Sequence, residues 1–352
     1  MLRQALLLPF ALGIAANAAS AQESANPPTA PDGTWLVALR DDAAKAESQP
    51  WTMNFAAIQD ERPAGSPGAE QDEEQDDEKE KSGFLYGLRK GFEKKPRPLD
   101  APLYFEDPYI NTEVRALYLY HTFPAQTALG RGDVQVAAVQ ARIAITDRIQ
   151  FIATEDGYSW LDTDTFGKDS GLMDLAMGLK FALLVDEEKD FILSTGGRYT
   201  IPAGDRDVFK SLCREWSVFA TAAKGWNDGK TNVIGNVNFR QPFNQADGNT
   251  IISWDAHLNT ELFEDFSQII EVHGLHYTQN GERLAVPIGG LDYANIGSQR
   301  AAGHMAMWGT FGFRWRIVEQ ISLGVGYGFP LRPTDNNDIF ESRVVANLNF
   351  RL

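Results

Sequence analysis

Cysteine is all but missing from this 352-residue chain: Cys213 is the only one. A single thiol forms no intrachain disulfide, so a cross-linked secreted scaffold is excluded. Past the N-terminal leader there is no apolar run of the roughly 20 residues that a membrane-spanning helix needs. Cations are in the minority, 32 Lys and Arg against 48 Asp and Glu, which makes nucleic acid a poor partner. No Gly-x-Ser-x-Gly elbow is present, and neither is a Walker or Rossmann glycine pattern. Gly130-Arg131-Gly132 has no helical pattern after it and reads as a turn.

What is present begins with an export signal. Arg3 supplies a positive charge, Leu6 to Ala16 a short apolar stretch, and Ala19-Ser20-Ala21 a small-x-small cleavage pattern. The mature chain is expected to start at Gln22, with no Cys nearby to carry a lipid. Residues 22–110 then read as a disordered acidic, Pro-rich segment on the periplasmic side, with short helices in places. Pro27, Pro28, Pro31, Pro63 and Pro67 break regular structure, and Thr34 to Ala46 could form one short helix. Glu70 to Glu80 holds eight carboxylates, a run that repels itself and stays solvated. Phe84, Leu85, Leu88 and Phe92 share a helical face beside Arg89, Lys90, Lys94 and Lys95. That stretch reads either as an interfacial helix on an anionic membrane or as a linker folding back on a barrel mouth.

From residue 113 the pattern changes to period two. Val114, Ala116, Tyr118 and Tyr120 alternate with Arg115 and Leu117; Leu175, Met177, Leu179, Phe181 and Leu183 alternate with Asp174, Gly178 and Lys180. Further alternation runs through Val233 to Phe239, Phe311 to Trp315, Ile321 to Phe329 and Val344 to Phe350. Strands fall near 113–121, 133–145, 149–157, 171–185, 189–201, 214–226, 230–241, 249–261, 267–278, 302–316, 320–330 and 340–351. The links between them alternate short and long, and Asn227-Asp228-Gly229 is a strong tight-turn signal. Short turns at one end and long loops at the other are how outer-membrane barrels are built. The fold expected over 111–352 is therefore all-β, a transmembrane antiparallel β-barrel of about twelve strands.

The faces agree with that fold. One parity carries aliphatic and aromatic residues for outer-membrane lipid, the other Arg, Asn, Asp and Gly for a polar lumen. Twelve strands enclose more space than simple side-chain filling occupies. Trp216, Trp254, Trp308, Trp315, Tyr118, Tyr120 and Tyr327 fall near strand ends, where an aromatic girdle would sit. The chain ends Asn347-Leu348-Asn349-Phe350-Arg351-Leu352, similar to the terminal strand that the bacterial barrel-assembly machinery reads at insertion, except that Leu352 follows the aromatic.

Asp174-Leu175-Ala176-Met177-Gly178-Leu179-Lys180-Phe181 and Gly197-Arg198-Tyr199-Thr200-Ile201-Pro202-Ala203-Gly204 resemble the outer-membrane family labelled "MetA-pathway of phenol degradation". The resemblance extends over roughly residues 105–352. It implies a barrel transporter linked to aromatic compounds, and its motifs speak for fold more than for cargo.

Lumen-facing residues are the candidates for function. Arg115, Arg142, Lys180, Arg198, Arg240, Arg314 and Arg343 fall on the polar parity, offset in part by Glu113, Asp174, Asp255 and Glu271. The wall is thus mildly basic. It reads as an anion-favouring ladder or as Arg–carboxylate pairs that close the lumen. If Glu261 pairs with Ser267, Asp255 faces His273 and His257 faces Glu271 across one hairpin. Those two pairs read as a pH-sensitive constriction, as a metal site, or as a structural network. His276 is the one candidate for lipase-type chemistry at the outer edge, and no partner Ser is evident. No catalytic residue and no cofactor are assigned. The leading expectation is passive diffusion of small, anionic or aromatic solutes. A non-conducting binding or scaffold barrel and a lipase-type enzyme are the alternatives.

Overall fold

The computed structural model describes residues 84–88, 92, 95–154, 157–205, 213–332 and 339–352. The leader, the Thr34–Ala46 stretch and the acidic run lie outside the described residues.

Among the described residues the regular structure consists of sixteen strands: β1 Glu113–Phe123, β2 Gly132–Ala144, β3 Ile149–Ala153, β4 Gly157–Thr163, β5 Gly167–Leu172, β6 Leu175–Asp186, β7 Phe191–Ile201, β8 Glu215–Trp226, β9 Thr231–Pro242, β10 Thr250–Phe263, β11 Phe266–Gln279, β12 Gly290–Leu291, β13 Ala294–Asn295, β14 Met305–Val318, β15 Ile321–Pro330 and β16 Ser342–Arg351. Twelve of them close into an antiparallel barrel, β1-β2-β3-β6-β7-β8-β9-β10-β11-β14-β15-β16. The seam that completes it joins β1 to β16, from Glu113 opposite Arg351 to Thr122 opposite Ser342. A closed sheet leaves no edge with unpaired backbone groups, which is what lets strands cross a hydrocarbon layer.

Burial follows the pleat. Along β1, Val114 and Tyr118 are exposed while Arg115, Leu117, Leu119 and His121 are buried. Leu175, Met177, Leu179, Phe181 and Leu183 of β6 are all exposed, and Lys180 between them is fully buried. An apolar exterior over a charged interior inverts a soluble barrel and suits lipid. Trp315, Tyr118 and Tyr327 lie on that exterior. Trp308 does not: it is 1% exposed and points into the lumen, because strand β14 places it on the same parity as Thr310 and Arg314.

The turns β2–β3, β6–β7, β8–β9, β10–β11 and β14–β15 gather at one end, together with the start of β1 and the end of β16. Asn227, Asp228 and Gly229 all adopt positive φ (54°, 54° and 81°), the left-handed backbone that a tight hairpin demands and that Asn, Asp and Gly tolerate best. The opposite end carries the long connections. Two features there were not expected. Residues 157–172 form the β4–β5 hairpin, with β4 continuing the pairing of β2 beyond β3. Residues 280–304 fold back as a cap that includes the β12–β13 ribbon and buries Ile288, Leu291, Tyr293 and Ile296.

Candidate functional site

The lumen is filled by the chain's own residues. Residues 95–112 enter at the short-turn end, climb along the wall, turn at Ala101–Phe105 and descend into β1. This shortens the expected disordered segment of 22–110, whose residues 95–110 are packed inside the barrel. Leu99, Asp100, Phe105, Glu106, Asp107, Tyr109 and Ile110 are all at most 2% exposed. The apex is a tight turn in which the amides of Tyr104 and Phe105 donate to the Ala101 carbonyl, at 3.1 and 2.9 Å. Residues 84–88 form no helix. Leu85 and Leu88 donate instead to the carbonyls of Ala144 and Ile110, lining the chain along the end of the barrel.

The wall cations meet this inserted loop one by one. Glu106 is the centre. Its Oε1 accepts from Arg142 Nε at 2.8 Å and Lys180 Nζ at 3.1 Å, and its Oε2 accepts from Arg142 Nη2 at 3.1 Å and Arg198 Nη2 at 2.6 Å. Asp100 is the second anchor. It accepts from Arg343 Nη1 at 2.8 Å, Trp308 Nε1 at 3.0 Å and Thr310 Oγ1 at 2.6 Å. Arg343 also pairs with Asp292 of the cap at 2.8 Å. Arg97 of the loop pairs with Asp107 and, at 2.7 Å, with Glu113 at the foot of β1. Arg115 and Arg314 donate to the backbone carbonyls of Pro98 and Arg97, at 3.1 and 3.2 Å. Arg240 pairs with Glu215 at 2.7 Å and lies 3.7 Å over the Tyr104 ring. Asp174 sits at the long-loop end, accepting from the Gly204 amide at 3.0 Å.

The β10–β11 hairpin supplies a different grip. Asp255 stands opposite His273 and His257 opposite Glu271. His273 Nδ1 is 2.8 Å from Asp255 Oδ1, and His257 Nδ1 is 2.7 Å from Glu271 Oε1. Glu271 also reaches the loop, accepting the amides of Leu99 at 2.7 Å and Asp100 at 2.8 Å. The carboxylate thus terminates two backbone donors of the loop that no strand could satisfy. No group of three or more His, Cys, Asp or Glu among the described residues is arranged to hold a metal ion. His276 falls at the long-loop end of β11, where it pairs in register with Ile252 and Met305.

Shape complements charge. The lumen faces of β14 and β15 carry Gly312, Gly324 and Gly326 where other strands carry side chains. A Cβ at Gly312 or Gly324 would lie 2.5 Å from Leu99, so the glycines form the slot that this leucine fills. Below the loop, at the short-turn mouth, is a recess of about 650 Å³ that includes Lys95, Glu113, Asp190, Lys224, Arg314 and Arg351.

Parity in the sequence identifies the wall residues. It does not reveal what they touch. Leu99, Asp100, Glu106 and Asp107 were missed because an irregular loop has no period. Two signals mark it nonetheless: the aromatic and acidic run Tyr104-Phe105-Glu106-Asp107 just before β1, and the three glycines at lumen positions of adjacent strands.

No protein-family model matches the chain, and no curated protein matches it. Solved structures do. The COG4313 outer membrane channel from Pseudomonas putida F1 superposes with a TM-score of 0.50 at 14% identity, covering 73% of this chain and 100% of that one. The NanC porin gives 0.40 at 11% identity, covering 68% and 100%, and the KdgM porin 0.40 at 8%, covering 68% and 99%. At these identities the similarity is one of fold, and the fold is that of an outer-membrane β-barrel.

Proposed function

We propose that this chain is a passive channel of the outer membrane, and that the 95–112 loop holds its lumen shut in the conformation described. The observation that carries the reading is the chemistry of the wall. With the loop in place, side-chain atoms of Gln140, Gln150, Ser217, Thr221, Asn232, Ser253 and Asn259, and both polar atoms of Asn238, are buried without a hydrogen-bond partner. Each such atom costs about 1–3 kcal/mol. A barrel meant only as a sealed scaffold gains nothing from these groups, and apolar side chains would fill the same space. A wall that is wet in another conformation needs them.

In this reading the short turns and the mouth recess are periplasmic and the cap of residues 280–304 is extracellular. The N-terminal segment is then periplasmic. Insertion by the barrel-assembly machinery, with β16 as the terminal strand, goes with that placement. The excess of wall cations favours anions. The resemblance of residues 174–204 to the phenol-pathway family supports aromatic compounds as a further class of cargo.

The filled lumen is the observation that speaks for a second reading, a barrel that never conducts. Planar-bilayer recording separates the two. The channel reading expects rare openings from the full chain and sustained ones from a chain lacking residues 96–109. A folded deletion variant that gives no conductance steps rules the channel out.

A further inference from the structure

The Glu106 site has more positive charge and more donors than one carboxylate uses. Arg142, Lys180 and Arg198 come from three different strands, β2, β6 and β7, and surround a single anion. The register brings them together: Arg142 is opposite Ile152, Ile152 opposite Gly178, and Gly178 opposite Arg198. Ile152 and Gly178 lie between the two arginines in this row, and Gly178, with no side chain, leaves the space beside Arg198 open. A Cβ there would lie 2.0 Å from the Gly197 carbonyl oxygen, so the position has room for none.

Glu106 accepts from Arg142 through Nε and Nη2, from Lys180 through Nζ, and from Arg198 through Nη2. Arg142 Nη1 and both Arg198 Nε and Nη1 are buried and have no partner. Three cations therefore share Glu106, and three guanidinium nitrogens remain over. Asp107 adds a second carboxylate, which it shares with Arg97 and which lies 3.7 Å from Lys180, and its carbonyl accepts from Lys180 at 2.7 Å. Arg198 is further fixed by the ring of Phe219, 4.9 Å from its guanidinium carbon. The three side chains rise from wall strands, so the cradle's cations stay in the lumen whatever the loop does, although the hydrogen bonds that orient them now end on the loop.

We propose that Arg142, Lys180 and Arg198 form the lumen's solute-binding site, that it takes small organic dicarboxylates, and that Glu106 is its built-in occupant. Resting on the channel reading, the proposal names the solute class and the place where it is held. Two solute carboxylates match the charge of the cradle better than one and engage the nitrogens that Glu106 leaves over. Forked guanidinium groups suit planar carboxylates, since each can donate two parallel hydrogen bonds. A dicarboxylate that reaches the site competes with Glu106, so the solute itself weakens the hold of the loop.

The test uses the full-length chain in detergent and in planar bilayers, with succinate and acetate as probes. Calorimetric titration of Glu106→Gln is expected to show succinate binding about tenfold more tightly than acetate, the equivalent of one further charge-assisted hydrogen bond. The wild-type chain is expected to bind succinate at least about tenfold more weakly than Glu106→Gln, because its own carboxylate competes. Adding Arg198→Gln to Glu106→Gln is expected to lower succinate affinity by about tenfold or more. Equal succinate affinity in wild type and Glu106→Gln, or affinity unmoved by Arg198→Gln, overturns the proposal. Should Glu106→Gln fail to fold, the chain lacking residues 96–109 presents the same three cations, and the comparison is made on it with and without Arg198→Gln. Bilayer recording keeps the two readings apart. Succinate binding without conductance in any variant sinks the channel and leaves the site standing. Conductance that succinate never blocks, with no binding in solution, sinks the site alone.

Discussion

Glu271→Gln isolates the grip of the wall on the inserted loop. The carboxylate accepts from the Leu99 amide and His257 at one oxygen and from the Asp100 amide at the other, where His273 Nε2 also stands 3.5 Å away. Glutamine has one acceptor oxygen. Whichever way its amide turns, an –NH2 group faces a backbone N–H of the loop. The variant loses at least one hydrogen bond to a charged group, worth about 1.5–3 kcal/mol, and strands a buried donor at about 1–3 kcal/mol. The sum, about 2.5–6 kcal/mol, brackets the roughly 3–5 kcal/mol that breaking a buried charged pair from one side usually costs, and that narrower range sets the expected effect. At about 1.4 kcal/mol per factor of ten, loop docking weakens by roughly a hundredfold to a few thousandfold. The assay is thiol labelling of Leu103→Cys at the loop apex in a Cys213→Ser background, run beside single-channel open probability. Both should rise together in Glu271→Gln. Labelling and open probability that stay at the parent level in a folded Glu271→Gln barrel would refute the reasoning, since the loop would then not depend on this carboxylate.

Three other outcomes follow from the fold. Gly178→Val has no room for its side chain beside the Gly197 carbonyl, so it should abolish the heat-modifiable band of the folded barrel on gels. Leu179→Arg puts a cation on the lipid face and should cost about 2–4 kcal/mol in urea titrations of vesicle-refolded protein if it lies near the midplane. Cys213 is buried beside the start of β8, and burial pushes its thiol up. It should resist iodoacetamide at pH 8 in the folded protein and react at once in denaturant.

The strands were legible because lipid and lumen impose opposite chemistry on alternate residues, and a period of two survives any detail of packing. Leu175 to Leu183 is the clearest instance. The β10–β11 register was legible because a short turn fixes which residues stand opposite, and Asp255 and His273 follow from Glu261 and Ser267. Trp308 was misplaced because a tryptophan near a strand end reads the same on either face until parity is applied strictly. The β4–β5 hairpin escaped because Gly157–Thr163 and Gly167–Leu172 are short and largely polar, with little alternation to read. The inserted loop escaped for a deeper reason. Its conformation is set largely by partners far along the chain, such as Arg142, Lys180 and Arg198 for Glu106, Glu271 for Leu99 and Arg343 for Asp100, and the loop's own sequence does not point to them.

The loop enters and leaves by the same mouth. It is a doubled-back strap and not a threaded end, and β1 begins where the strap comes out. Withdrawal therefore breaks bonds between wall side chains and the loop's side chains and backbone, none of which belongs to the β1–β16 seam or another ladder of the wall. Emptying the lumen and unfolding the barrel become separate events with separate costs. On the channel reading proposed above, the lumen empties and refills while the wall ladders, and with them the hold on the bilayer, stay in place.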